Sequence, residues 1–189
     1  ITISRDLVSF SKISIGGNFE VTLKKSDKNT LTITTDENLE PLIVSKVEND
    51  ELNISSRKKL INVKKTKLII GYSNISEISV YGATLLNNQE LLESESLSLN
   101  LEGAGVIDMQ LKVNNLEAQL SGAGLVKFNG YATNASVRLS GVGGLEAFGL
   151  ETLKSTINVS GIGGAKINVK NELTATIEGV GGIEYIGHP

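Results

Sequence analysis

From Leu7 to about Gly71 apolar and polar residues alternate in short runs: Ile13 and Ile15, then Phe19, Val21 and Leu23, then Leu31 and Ile33, Leu52 and Ile54, and Leu68 and Ile70. A period of two predicts half-buried β-strands. Between the runs lie polar stretches, from Lys24 to Asn29 and from Ser56 to Lys59, which read as turns or solvated loops rather than ligand sites. Residues 36–43, with Asn38, Leu39, Pro41 and Leu42, form the one stretch suited to a short helical turn, and no longer helix is expected.

From Ile78 onward a second, longer period appears. Gly82, Gly103, Gly122, Gly141, Gly161 and Gly179 open similar glycine-rich corners about 19–20 residues apart. Aligned on those glycines, the preceding residues form two aliphatic columns. One holds Ile78, Leu99, Ala118, Val137, Ile157 and Ala175, and the other Val80, Leu101, Leu120, Leu139, Val159 and Ile177. Between them stand Ser79, Asn100, Gln119, Arg138, Asn158 and Thr176, all polar, as the outward side of a strand requires. After the corner, Leu86, Ile107, Val126, Leu145, Ala165 and Ile183 point in, followed two residues later by Asn88, Met109, Phe128, Ala147, Ile167 and Tyr185.

Such a repeat predicts one coil per period, hence an all-β fold whose C-terminal half is a parallel β-solenoid (β-helix) of about six coils. The expected division is a β-rich part over 1–75, continuous with the solenoid, and a glycine-cornered solenoid over 76–189. The glycines should serve as corners where stacked backbones leave little room for a Cβ and where some positions need positive φ.

Composition agrees with stacked coils around an aliphatic core: 20 Gly against 2 Pro, 4% aromatic residues, no Trp and no Cys in 189 residues. The net charge of −3, with lysines and arginines scattered, offers no basic surface for a nucleic acid. Without cysteine there is neither a disulfide nor a thiolate metal site. No apolar run is long enough for a transmembrane helix. Asn53, Asn74, Asn134 and Asn158 each begin an N-x-S pattern that chance readily produces in strands rich in Asn and Ser.

Candidate chemistry is sparse. Asp108, Lys127, Glu146, Lys166 and Glu184 occupy one outward position in five consecutive coils with strictly alternating sign, which predicts a structural charge ladder that sets register. The catalytic reading of the same column, a hydrolase or lyase with carboxylates two coils apart, is opposed by the lysine in each gap, which holds the acids ionised. The only histidine, His188, sits beside Pro189, and no Ser/His/Asp arrangement exists without it. Each Gly-x-Gly-Gly corner leads into a strand, whereas phosphate-binding glycine loops open a helix. Calcium-binding nonapeptides would require Asp where this chain has Val106, Leu125, Gly144, Gly164 and Gly182. Phe128, Tyr131 and Phe148 remain as a candidate sugar-stacking patch.

The segment Phe10-Ser11-Lys12-Ile13-Ser14-Ile15 followed by Phe19-Glu20-Val21-Thr22-Leu23, the Ser-Gly corners at 121, 140 and 160, and the ending from Gly179 to Pro189 resemble the "putative auto-transporter adhesin, head GIN domain" family of bacterial envelope proteins. The resemblance covers nearly the whole chain. It implies a right-handed β-helix and export to the periplasm, outer membrane or cell surface of a Gram-negative bacterium of the Bacteroidetes type. It also implies a role in adhesion, and it carries no catalytic residues. The family's corners commonly read Ser-Gly-Ala-Gly-Asp, and this chain lacks that Asp in every coil. The expected function is a non-enzymatic module that presents a rigid β surface to a surface protein or glycan and needs no cofactor. A homo-oligomer is compatible with it. The alternatives are a carbohydrate-active β-helix enzyme and an envelope spacer without a ligand.

Overall fold

A computed structural model describes residues 1–57 and 66–189, so Lys58 and Lys59 of the second polar stretch lie outside the described residues. The chain is all-β, and among the described residues one short 3-10 turn, Glu40–Leu42, lies inside the stretch where the sequence places it. Its C-terminal part is a parallel β-solenoid of about six coils. Strands β10 (Leu92–Leu101), β11 (Val106–Leu120), β12 (Ala123–Leu139), β13 (Val142–Val159), β14 (Ile162–Ile177) and β15 (Val180–Ile186) pair in parallel with their successors, nearly in register. Each long strand starts just after one corner and runs to the next. Its side chains alternate in and out, so both inward columns meet in one continuous core.

The corners show why glycine recurs. A Cβ on Gly122 would lie 1.9 Å from the carbonyl oxygen of Gly103, one on Gly141 would lie 1.9 Å from that of Gly122, and one on Gly161 would lie 2.0 Å from that of Gly141. In each case the preceding coil's backbone occupies the place a side chain would need. Positive φ belongs to a different corner glycine: Gly143 and Gly163, two residues further on, have φ of 152° and 148°. Only glycine populates that region freely.

Before residue 75 the described strands join the sheet in an order the sequence pattern does not reveal. Strands β2 (Lys12–Gly16) and β3 (Phe19–Lys25) form a coil with its own corner at Gly17. That coil lies between two others. On one side β2 and β3 pair in parallel with β8 (Glu77–Val80) and β9 (Leu85–Asn88), and on the other with β6 (Glu51–Ser56) and β7 (Thr66–Tyr72). Thus the coil of residues 12–25 is threaded between two coils made later in the chain. A Cβ on Gly82 would lie 2.0 Å from the Gly17 carbonyl oxygen, which makes Gly17 a member of the corner column that spacing alone does not detect.

Beyond the β6–β7 coil the parallel stack ends. Strand β5 (Ile43–Glu48) pairs antiparallel with β6, β4 (Thr30–Thr34) antiparallel with β7, and β1 (Thr2–Asp6) antiparallel with β4. These strands and the turn between them bury Leu31, Ile33, Leu39 and Ile43 over the end of the core. The opposite end differs. Ala175 and Tyr185 belong to the inward columns but are exposed, and Ile177 is 48% exposed, because no described strand covers the last coil. Asn88, also in an inward column, is half-buried and acts as a surrogate peptide group: its amide donates to the Gln110 carbonyl at 2.8 Å and accepts from the Gln110 N–H at 2.9 Å.

The corner geometry separates two glycines of successive corners. A Cβ on Gly163 would lie 1.7 Å from the Gly143 oxygen, whereas one on Gly182 meets nothing within 4 Å. Gly163→Ala is expected to cost roughly 1–3 kcal/mol or more and lower the melting temperature by several degrees. Gly182→Ala should change stability by less than about 0.5 kcal/mol in the same thermal denaturation experiment.

Candidate functional site

A groove runs along the solenoid where each coil bends between two of its sides. Alternation lapses there by one residue: Val113 is buried, Asn114 and Asn115 both face solvent, and Leu116 is buried again. Two outward residues in succession turn the chain, and the outward side chains on either side of the bend become the walls of a groove of about 640 Å³. One wall is the column Ser96, Asn115, Asn134, Lys154 and Glu172, and the other is Ser98, Glu117, Ser136, Thr156 and Thr174. Leu97, Leu116, Ala135 and Ser155 form the floor.

The walls bond along the stack, coil to coil. Asn134 donates to the Asn115 side-chain oxygen at 3.0 Å, and the Asn115 amide reaches the Ser96 hydroxyl at 3.5 Å. Further on the column becomes ionic: Lys154 Nζ and Glu172 Oε2 stand 2.8 Å apart. The hydrogen bond between them, and then their Coulomb attraction, raise the Lys154 ammonium above its ordinary 10.5 and hold the Glu172 carboxyl below its ordinary 4.5. In the facing wall Gln119 donates to Glu117 at 3.2 Å. Apart from the Glu117 carboxylate, the first three coils line the groove with hydroxyls and carboxamides, and its far end is an internally compensated ion pair.

The charge column anticipated from sequence lies on a different side of the coil. Register neighbours run Asp108, Lys127, Glu146, Lys166, Glu184, as the alignment places them. Within the column the structure pairs Asp108 with Lys127 at 3.8 Å and Glu146 with Lys166 at 3.1 Å. The Lys166 ammonium is held above its usual value by hydrogen bonding to Glu146, by the charge of that residue, and by Glu184. Beside this column Gly144, Gly164 and Gly182 form a bare backbone trough, with Val142, Ile162 and Val180 exposed along its other rim.

The remaining sequence candidates separate. Phe128 is buried in the core while Phe148 faces outward, 36% exposed, so the aromatic patch does not form. His188 is exposed. Among the described residues no group of His, Asp and Glu side chains is placed to hold a metal ion, and no helix is long and apolar enough to cross a membrane. Sequence reasoning missed the groove and a further set of cross-coil ion pairs, Glu93 with Lys112 at 3.1 Å and Glu151 with Lys170 at 2.6 Å. Each coil carries two successive residues outside the core before the inward columns, but their types vary, from Glu95-Ser96 and Asn114-Asn115 to Leu153-Lys154, so no shared residue marks the bend.

Comparison with known proteins gives a consistent picture. A family model described as "putative auto-transporter adhesin, head GIN domain" matches residues 9–189. A crystal structure of a "putative adhesin" from Bacteroides fragilis is 27% identical, with a TM-score of 0.89 over 98% of this chain and 96% of that one. A second "putative adhesin", from Parabacteroides merdae, is 19% identical with a TM-score of 0.67, covering 98% of this chain and 95% of that one. A "putative lipid binding protein" from Parabacteroides distasonis is also 19% identical, with a TM-score of 0.69 over 98% and 96% of the two chains. The last two establish likeness of fold alone. Among curated protein sequences none matches this chain.

Two measurements check the electrostatics. Lys127→Glu combined with Lys166→Glu puts five carboxylates in one column, so the melting temperature should fall at low ionic strength and recover in salt, as screening predicts. Because the folded-state pKa of Glu172 is depressed, its stabilising contribution is present above the unfolded value and lost as pH falls through the folded one. An NMR titration should place its midpoint below 4.5, and Lys154→Met should return it toward that value.

Proposed function

The chain belongs to the "putative auto-transporter adhesin, head GIN domain" family, and from that footing we propose that it is a non-enzymatic binding module of the bacterial envelope or cell surface that takes a glycan into the groove of stacked hydroxyl and carboxamide side chains. The observation that carries this reading is the groove itself: five consecutive coils present polar side chains in register over a shallow, largely apolar floor. Stacked donors and acceptors match the hydroxyls of a sugar, which offers the same two functions on every ring.

A catalytic role in the groove is disfavoured by its carboxylates. Glycoside cleavage requires one carboxylic acid kept protonated near neutral pH by a raised pKa. Glu172 is moved the other way by Lys154. A protein partner is disfavoured by the lining, which holds none of the Trp, Tyr or Arg anchors that dominate protein interfaces. Hydrogen bonds to exposed hydroxyls each contribute only about 0.5–1.5 kcal/mol net, so a single module should bind weakly and gain strength from multivalent display.

The test is a glycan array probed with the purified chain and with Ser136→Trp, which fills the middle of the groove from an exposed wall position. Binding to neutral glycans by the parent chain and its loss in Ser136→Trp are expected, while the Lys127→Glu variant, altered on another side of the coil, binds like the parent. Absence of binding to every glycan on the array would leave the spacer reading in its place.

A further inference from the structure

We infer that the groove's ligand is a linear, neutral polysaccharide with an extended backbone, lying along the solenoid axis with one sugar ring per coil. This rests on the glycan reading above and adds orientation, repeat and charge to it.

The repeat comes from the stack. Both walls are columns of register partners: Ser96, Asn115, Asn134 in one, and Ser98, Glu117, Ser136 in the other. Successive members are therefore about 4.8 Å apart, the separation of hydrogen-bonded strands. An extended chain of equatorially linked pyranoses advances by nearly the same distance per sugar. A chain laid along the groove would thus offer each ring one residue from either wall, and the match would persist over the five coils from Ser96 to Glu172. A chain laid across the groove would meet one coil's pair and leave the others unused.

The charge preference comes from what the side chains already spend. Asn115 and Asn134 each keep hydrogen-bonding capacity beyond their bonds to one another, because a carboxamide has two N–H donors and two acceptor lone pairs. They and the serines can exchange hydrogen bonds with hydroxyls without releasing a counter-charge. At the far end Lys154 is held by Glu172, so an acidic sugar would have to break that ion pair, and Glu117 on the facing wall would repel it. Glu117 and Glu172 as acceptors instead suit the hydroxyl donors of an uncharged ring.

The experiment is calorimetric titration of the purified chain with β-1,4-linked glucan, mannan and xylan oligosaccharides of one to eight sugars, with a β-1,4-linked uronate series and a coiled α-1,4-glucan series as comparisons. At least one neutral extended series should bind, with affinity rising roughly three- to tenfold per added sugar up to about five and then levelling. Thr174→Trp, which blocks only the last coil of the groove, should move the plateau to about three or four sugars, whereas Ser136→Trp should abolish the length dependence. Thermal unfolding of both variants confirms that they fold. If glycans bind but one or two sugars bind as tightly as six, or the α-1,4 or uronate series binds better, the axial, neutral assignment is overturned while the glycan reading stands. If no series binds although the array showed glycan binding, the assignment falls alone; if the array is also blank, both fall.

Discussion

The structure depends on backbones that approach one another as closely as strands in a sheet can, at the corners as well as along the sides. A side chain at Gly122, Gly141 or Gly161 would meet a carbonyl oxygen of the preceding coil at about half of van der Waals distance. That constraint keeps the coils in register through each bend, and register is what turns a repeated sequence into columns. The aliphatic columns of the core, the alternating charges from Asp108 to Glu184 and the two walls of the groove all follow from it. Spread the corners by the width of a methyl group, and neighbouring strands would lose the pairing on which every column relies.

Because register is uniform, each outward column is an independent surface made by choosing one residue type per coil. The same fold displays alternating charges on one side, bare glycine flanked by Val142, Ile162 and Val180 at a corner, and hydroxyls and carboxamides at the bend. The first satisfies itself internally, since Lys127 and Lys166 have acidic partners in the preceding coil. Only the third combines concavity with unspent hydrogen-bonding capacity, which is why the functional reading settles there and not on the charge column that stands out in the sequence.

What was legible in the sequence was whatever repeats. The corners from Gly82 to Gly179, both aliphatic columns and the neighbours in the charge column could be written down by aligning coils, because period and register there express one geometry. The β2–β3 coil escaped, since its neighbours in space are β6 and β7 on one side and β8 and β9 on the other, and no local spacing records that exchange. Gly17 belongs to the corner column for a reason visible only once Gly82 lies over it. A repeat makes every coil alike in sequence, whereas burial depends on having a coil on each side; Ala175, Ile177 and Tyr185 obey the pattern and are exposed. Asn88 shows the converse, a polar residue in an inward column whose amide completes a backbone ladder.

The threading of β2 and β3 between β6 and β7 on one side and β8 and β9 on the other has a consequence for assembly. Solenoids ordinarily grow by adding each coil to the one before, so contacts stay local and folding can propagate from any point. Here β2 and β3 have no parallel partner until more than thirty further residues are available, and their second partner comes only with β8 and β9. The amino-terminal coil must wait as an open template while later segments close over both of its faces, which gives this end a high contact order and a slow, cooperative step. Past that step the remaining coils add in sequence. Under a pull from the carboxyl end the same asymmetry would run in reverse: coils would peel off one at a time until the tension reached the β8–β9 coil, where the inserted coil and the antiparallel cap behind it would have to yield together.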